Sequence, residues 1–176
     1  MLKTHTSPPS DAASGAPALD PGLFREGMSR VAGAVHIVTT QGSAGRAGLT
    51  ATAVAPVTDS PASLLVCVNS AGRSAQVLLA NKVFCVNTLS APDLPLADIF
   101  AGRTDLHGQD RFSSGQWEDL LTGSPTLMTS LVSFDCRLTE ARVVATHHVI
   151  LGEIVAVRLG DRMPALVYQG RLYHEL

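Results

Sequence analysis

The sequence predicts a mainly β protein, an antiparallel barrel with a few short helices. Three observations carry that expectation. Apolar, β-branched strings recur at short spacing and are separated by Gly, Asn and Ser clusters. The helical patterns are few and brief. No repeated strand-helix-strand unit occurs, which excludes a doubly wound parallel sheet.

The elements follow in order. Residues 1–19 include Ser7-Pro8-Pro9-Ser10 and Ser14-Gly15-Ala16-Pro17 and lack apolar periodicity, so they read as a disordered N-terminal tail. Asp20-Pro21 supplies an N-cap and a first-turn proline. Leu23, Phe24, Met28, Val31 and Ala32 then recur at helical spacing, predicting a short amphipathic helix that ends near Gly33. Val35–Thr40 reads as a strand and Gly42–Arg46 as a turn. Ala47–Val57 reads as a second strand with small residues on one face. Ser63–Asn69 is a third strand, Ser74–Leu79 one or two helical turns, and Val83–Asn87 a fourth strand. Pro92–Phe100 looks helical. Residues 102–126 are polar and Gly-rich, with Trp117, Leu120 and Leu121 as the only anchors. Leu131–Ala145 and His148–Arg158 read as long antiparallel strands, and residues 165–174 as a closing hairpin turned at Gln169-Gly170.

Composition narrows the function classes. The 176 residues are 45% hydrophobic and 16% charged with a net charge of −2, a globular composition for one domain spanning 20–176. Lys3 and Lys82 are the only lysines, and the basic residues form no run, which argues against nucleic-acid binding. No apolar run reaches the roughly 20 residues of a membrane span, and no secretory leader is legible. Cys67, Cys85 and Cys136 are odd in number, widely spaced and set in apolar strings. They read as buried small hydrophobes rather than as a zinc knuckle or disulfide scaffold, and suit the cytoplasm. Gly42, Gly45 and Gly48 form GxxGxxG, not the GxGxxG dinucleotide fingerprint, and no P-loop is present.

Four segments could carry chemistry. Gly48-Leu49-Thr50-Ala51-Thr52-Ala53-Val54 is a strand of small and hydroxyl residues, which lets a flat ligand approach the backbone, although a Thr-rich strand under a loop has the same composition. Asn69-Ser70-Ala71-Gly72-Arg73-Ser74 lies between a strand and a helix start, where amides, hydroxyls and an arginine suit a phosphate; a plain polar turn is the alternative. Thr146-His147-His148 lies at a strand junction. Asp135 and Glu153 offer carboxylates, but no metal-ligand spacing joins them to the histidines, so no metal site is expected. Arg171 and Tyr173 alternate onto one face of the last hairpin and could close over a ligand or form a plain edge.

Taken together, these segments are familiar. From Phe24 to the C-terminus the chain resembles the short-chain flavin reductases, the reductase components of two-component flavin monooxygenases. The residues that carry the resemblance are Gly48–Ala53, Asp59-Ser60-Pro61, Leu64–Asn69, Phe84–Leu89, Arg111-Phe112, His147 with Gly152-Glu153 five residues on, Leu166–Tyr168 and Arg171–Tyr173. Ser133–Cys136 is similar to the branch of pyrimidine-degradation flavin reductases, and the cob(II)yrinic acid a,c-diamide reductases are similar too. The resemblance implies a Greek-key split barrel that forms a homodimer and binds FMN, or alternatively FAD. NADH or NADPH would supply hydride, and a partner monooxygenase would receive reduced flavin. A corrinoid reductase and a non-enzymatic flavin- or haem-binding module are the alternatives. On this resemblance Thr50, Ala51, Thr52, Ala53 and Ser60 would face the isoalloxazine ring. Asn69, Ser70, Arg73 and Ser74 would hold the phosphate, His147 would lie near the ring and nicotinamide, and Arg171 and Tyr173 would complete the pocket. The chain departs from the family pattern after Asn69, where Ser70 and Ala71 stand in place of a basic residue and a serine.

Overall fold

A computed structural model describes residues 19–176. The expected tail over residues 1–19 therefore lies outside the described residues, Leu19 excepted.

Helix α1 spans Pro21–Ser29. The Asp20 carboxylate accepts from the Leu23 amide, the N-cap its position predicts. The helix stops four residues before Gly33. Its apolar residues do not dock on the chain's own core: Leu23 is 62% exposed and Phe24 56%.

Twelve strands follow: β1 Gly33–Ala34, β2 His36–Gly42, β3 Gly45–Ala51, β4 Val54–Asp59, β5 Ala62–Asn69, β6 Val83–Thr88, β7 Trp117–Asp119, β8 Pro125–Leu127, β9 Val132–Val144, β10 His147–Leu159, β11 Leu166–Gln169 and β12 Leu172–Glu175. Helix α2 is Arg73–Asn81 and α3 is Leu94–Phe100.

The main sheet has the order β3-β2-β6-β9-β10-β5-β4, with every pair antiparallel. Its two edge strands, β3 and β4, are consecutive in the chain. The expected single strand Ala47–Val57 is in fact broken at Thr52-Ala53, where the chain leaves the β2 edge and joins the β5 edge. That two-residue link ties the sheet's edges together and makes it a barrel split along one seam. β1, β11 and β12 form a small flanking sheet, and β7 and β8 a two-stranded ribbon.

The core divides in two. Inside the barrel, Val38, Val66, Phe84, Val86 and Ile150 pack with Ala75 and Leu78 of α2, the helix that plugs one end. Gly152 makes room here, since a Cβ on it would stand 2.4 Å from the Phe84 ring. The second cluster packs Val35, Ile37, Leu89 and Leu166 against Leu96, Ala97 and Phe100 of the α3 region. In the polar segment 102–126 the anchor missing from the sequence reading is Phe112. It is buried, and its ring meets those of Phe100 and Trp117 edge-on at 5.0 and 5.2 Å. Leu121, expected to anchor, is 64% exposed.

The buried side chains of Asn87 and Asp135 are paired, whereas Arg158 keeps a buried Nη1 with no hydrogen-bond partner. Asn87 donates to the Ile37 carbonyl and accepts from the Leu127 amide and the Ser133 hydroxyl. Asp135 accepts from the Thr122 amide at 2.7 Å. The register sets Asp135 opposite Ala156, nine residues along β10 from His147. Cys85 and Cys136 are buried, with thiol pKa values pushed up by burial, that of Cys85 to about 12. Cys67 departs from the expectation, being only half-buried.

Candidate flavin site

The seam between the two edges is a groove of about 400 Å3. One wall is Leu49–Ala53, the other Cys67, Val68 and Asn69, with Ser74 of α2 at one end and His147 beside Asn69. The neighbourhood of His147 and Asn69 is a matter of strand register, since the two are paired across β10 and β5. Seven of the residues singled out from the sequence therefore line one groove: Thr50, Ala51, Thr52, Ala53, Asn69, Ser74 and His147. Phe100 and Ala101 also line the groove, as does Cys67. These three could not be read from a local motif, because a helix remote in sequence supplies two and Cys67 points out of an otherwise apolar strand.

Hydrogen bonding separates scaffold from available groups. The Thr50 hydroxyl donates to the Ala97 carbonyl at 2.7 Å, fixing α3 against β3. The Ser74 hydroxyl donates to the Gly48 carbonyl at 3.0 Å, fixing α2 against the same strand. The Ser70 hydroxyl and amide both donate to the Thr146 carbonyl, at 2.9 and 3.0 Å, pinning the β9–β10 turn. Thr50 and Ser74, both expected to be ligands, thus tie the groove's wall to α3 and α2, while Ser70 does not line the groove.

What remains free is specific. Among the described residues the Thr52 and Ala53 amides and the Thr52 hydroxyl have no hydrogen-bond partner, because strand pairing stops at Ala51 and resumes at Val54. Asn69 spends its carbonyl oxygen on the Ala71 amide at 2.9 Å and keeps its NH2 group. Gly72 caps α2 with no side-chain hydrogen bond; the Ala75 amide donates to the Gly72 carbonyl at 3.1 Å, and among the described residues the Arg73 and Ser74 amides are open. The His147 Nδ1 lies 2.9 Å from the Thr146 hydroxyl, and His147 is exposed.

The remaining expected residues lie elsewhere. Ser60 is exposed in the β4–β5 turn and does not line the groove. Arg73 projects from the first turn of α2 into a neighbouring groove. Arg171 is not on a strand face with Tyr173. It occupies the hairpin turn with φ 65°, after Gly170 with φ 59°, and its guanidinium pairs with Glu26 of α1 at 3.1 Å. Two successive left-handed residues are what a two-residue hairpin of this twist requires. Tyr173 stands in a side cleft that shares Thr50, Ala51 and Thr52 with the groove. Its ring carries Arg103 at 5.4 Å, and desolvation holds its hydroxyl pKa above the usual value.

The flavin reductase like domain family matches residues 28–176. The chain belongs to that family. FMN reductase (NADH) RutF of Stutzerimonas stutzeri is 46% identical over 153 residues, 87% of each chain. Its counterpart in Ancylobacter novellus is 44% identical over 165 residues, 94% of this chain and 90% of the relative. Among solved structures, BorF, the flavin reductase component of a bacterial two-component tryptophan halogenase, is 28% identical with a TM-score of 0.82 over 89% of this chain and 98% of its own. This flavin reductase-like chain thus shares the fold of BorF, and its groove lies at the seam between the two sheet edges.

Proposed function

We propose that the protein is an NADH-dependent FMN reductase that releases reduced flavin to a partner monooxygenase. The observation that carries this reading is the gap in strand pairing at Thr52-Ala53. It leaves two amides and a hydroxyl unpaired along a groove whose far end is an uncapped helix. That donor set fits a heteroaromatic edge at one end and a phosphate at the other. The relatives named FMN reductase (NADH), at 44–46% identity, supply the choice of FMN and NADH.

A bound flavin would supply the hydride-accepting chemistry, with NADH as the hydride donor. The chain's own residues bind and orient. Thr52 and Ala53 donate to the ring edge, and Ala51 and Ala53 keep the wall low enough for face contact. The Asn69 NH2 group and the first α2 amides hold the phosphate. Thr50, Ser70 and Ser74 brace the walls. His147, exposed at the rim, contacts the ligands and positions the nicotinamide.

We further infer a homodimer. The apolar side chains of α1 border a second groove, of about 540 Å3, which reaches Thr52 and Ala53. A second copy seated there would cover Phe24 and Met28 and close the flavin groove. Three free cysteines, two of them buried, suit a reducing compartment, and the cytoplasm is the proposed setting.

The test is steady-state NADH oxidation with FMN, FAD, riboflavin and cob(II)alamin as acceptors. Rapid turnover with catalytic free FMN supports the reading. Turnover that requires the corrinoid assigns a corrinoid reductase instead, and slow bleaching of tightly held flavin assigns a binding module. Reduced FMN should also sustain a flavin-dependent monooxygenase added in trans.

A further inference from the structure

The β9–β10 turn carries His147 to the rim of the seam groove, and the turn is fixed from outside the groove. Val144 and His147 close the strand pair, which leaves Ala145 and Thr146 as a two-residue hairpin loop. Ala145 has φ 50°. A residue other than glycine keeps such a backbone only where its surroundings over-determine it. Here the end of β5 does so. The Thr146 carbonyl accepts from the Ser70 hydroxyl at 2.9 Å and from the Ser70 amide at 3.0 Å. Ser70 directly follows Asn69, the cross-strand partner of His147.

The side chains extend this chain of contacts to the imidazole. The Thr146 hydroxyl lies 2.9 Å from His147 Nδ1. Among the described residues neither that hydroxyl nor His147 Nε2 has another partner. An exposed imidazole is free to change rotamer, so holding one orientation takes a contact that costs little to order. Thr146 supplies it. Its branched side chain is stiff at χ1, and its backbone is already pinned by Ser70. A hydroxyl both donates and accepts, so it holds Nδ1 whether or not that nitrogen carries the proton. With Nδ1 held, Nε2 is the nitrogen left for a ligand at the rim.

We propose that Ser70 and Thr146 are positioning residues for the reduction: Ser70 fixes the turn, Thr146 holds His147 Nδ1, and Nε2 is thereby presented to the nicotinamide. Ser70 thus acts on a ligand through His147, not by direct contact with a phosphate. The proposal rests on the reading of the seam as the flavin site and of its rim as the nicotinamide's place.

The test uses Thr146→Val, which keeps the branched shape and loses the hydroxyl, Thr146→Ser, which keeps the hydroxyl, Ser70→Ala and His147→Ala. Thr146→Val is also made in the His147→Ala protein. NADH oxidation with FMN as acceptor gives kcat/KM for NADH, and flavin fluorescence gives FMN affinity. Long-range 1H–15N spectra of histidine-labelled protein report the state of Nδ1, with the His147 signals assigned by their loss in His147→Ala. Thr146→Val should lower kcat/KM for NADH about fivefold, the scale of one neutral hydrogen bond, and change FMN affinity less than about twofold. The His147 Nδ1 resonance should shift in the same variant, and Thr146→Ser should restore both. Ser70→Ala should act in the same direction. In the His147→Ala protein, Thr146→Val should have no further effect, because its whole action passes through the imidazole. An unchanged Nδ1 resonance in Thr146→Val, or the same loss of kcat/KM in the His147→Ala protein, overturns the proposal. A shifted resonance with NADH kinetics unchanged in His147→Ala overturns the role in the reaction, and there it is the rim as the nicotinamide's place that fails. Wild-type protein that binds no FMN overturns the seam reading itself.

Discussion

At Thr52 the hydroxyl has no internal partner, so its removal costs the folded chain little and is felt by the ligand. Thr52→Val should weaken FMN and riboflavin alike, by about fivefold, the scale of one neutral hydrogen bond. Parallel titration of both flavins checks this; a loss confined to FMN would move Thr52 to the phosphate end. His36 makes a prediction about pH. Burial pushes its pKa down to about 4, and its ring lies 3.1 Å from the Thr88 hydroxyl. The unfolded chain binds this proton near pH 6.5, the folded chain only near 4. The associated stability is therefore present above pH 6.5 and lost as pH falls through about 4. Urea unfolding at pH 7 and pH 4.5 should show a loss that is about 2–3 kcal/mol smaller in His36→Leu than in wild type. Equal losses in the two proteins would show that His36 stays neutral or pays nothing on folding.

At the scale of elements, most strands were legible because alternation and β-branched strings survive any packing detail. β5, β6, β9 and β10 fall within a few residues of their expected bounds. The break at Thr52-Ala53 was not legible, since a strand that changes partners keeps its local pattern while its hydrogen bonds go elsewhere. The site was half legible for the same reason. Residues on the seam strands, such as Thr50 and Asn69, share a groove because pairing there is regular. Arg171 required the turn geometry. Gly152 illustrates the limit from the other side: nothing local explains it, but the Phe84 ring occupies the space of its missing Cβ. Gly152→Ala should lower stability by roughly 1–3 kcal/mol through overpacking. Thermal unfolding measures it. An unchanged Tm would mean that the β9–β10 bulge beside Gly152 absorbs the methyl group.

For the whole molecule, one chain leaves the seam groove open and an apolar helix unpartnered, two deficits that a second copy would remove together. Light scattering at micromolar concentration should give twice the chain mass. Phe24→Glu, on the face of α1, should shift the protein toward monomer and weaken FMN binding in the same titration. A wild-type monomer that reduces flavin at full rate would show that each chain is sufficient. The central claim is that the seam groove holds a flavin where NADH can reduce it. Anaerobic rapid mixing of the protein with FMN and NADH tests this most directly, followed through loss of oxidised-flavin absorbance. The account predicts stoichiometric bleaching at a rate that saturates with NADH, slowed in Thr52→Val at sub-saturating FMN. Bleaching no faster than in protein-free solution, or unaffected by Thr52→Val at every FMN concentration, would contradict it.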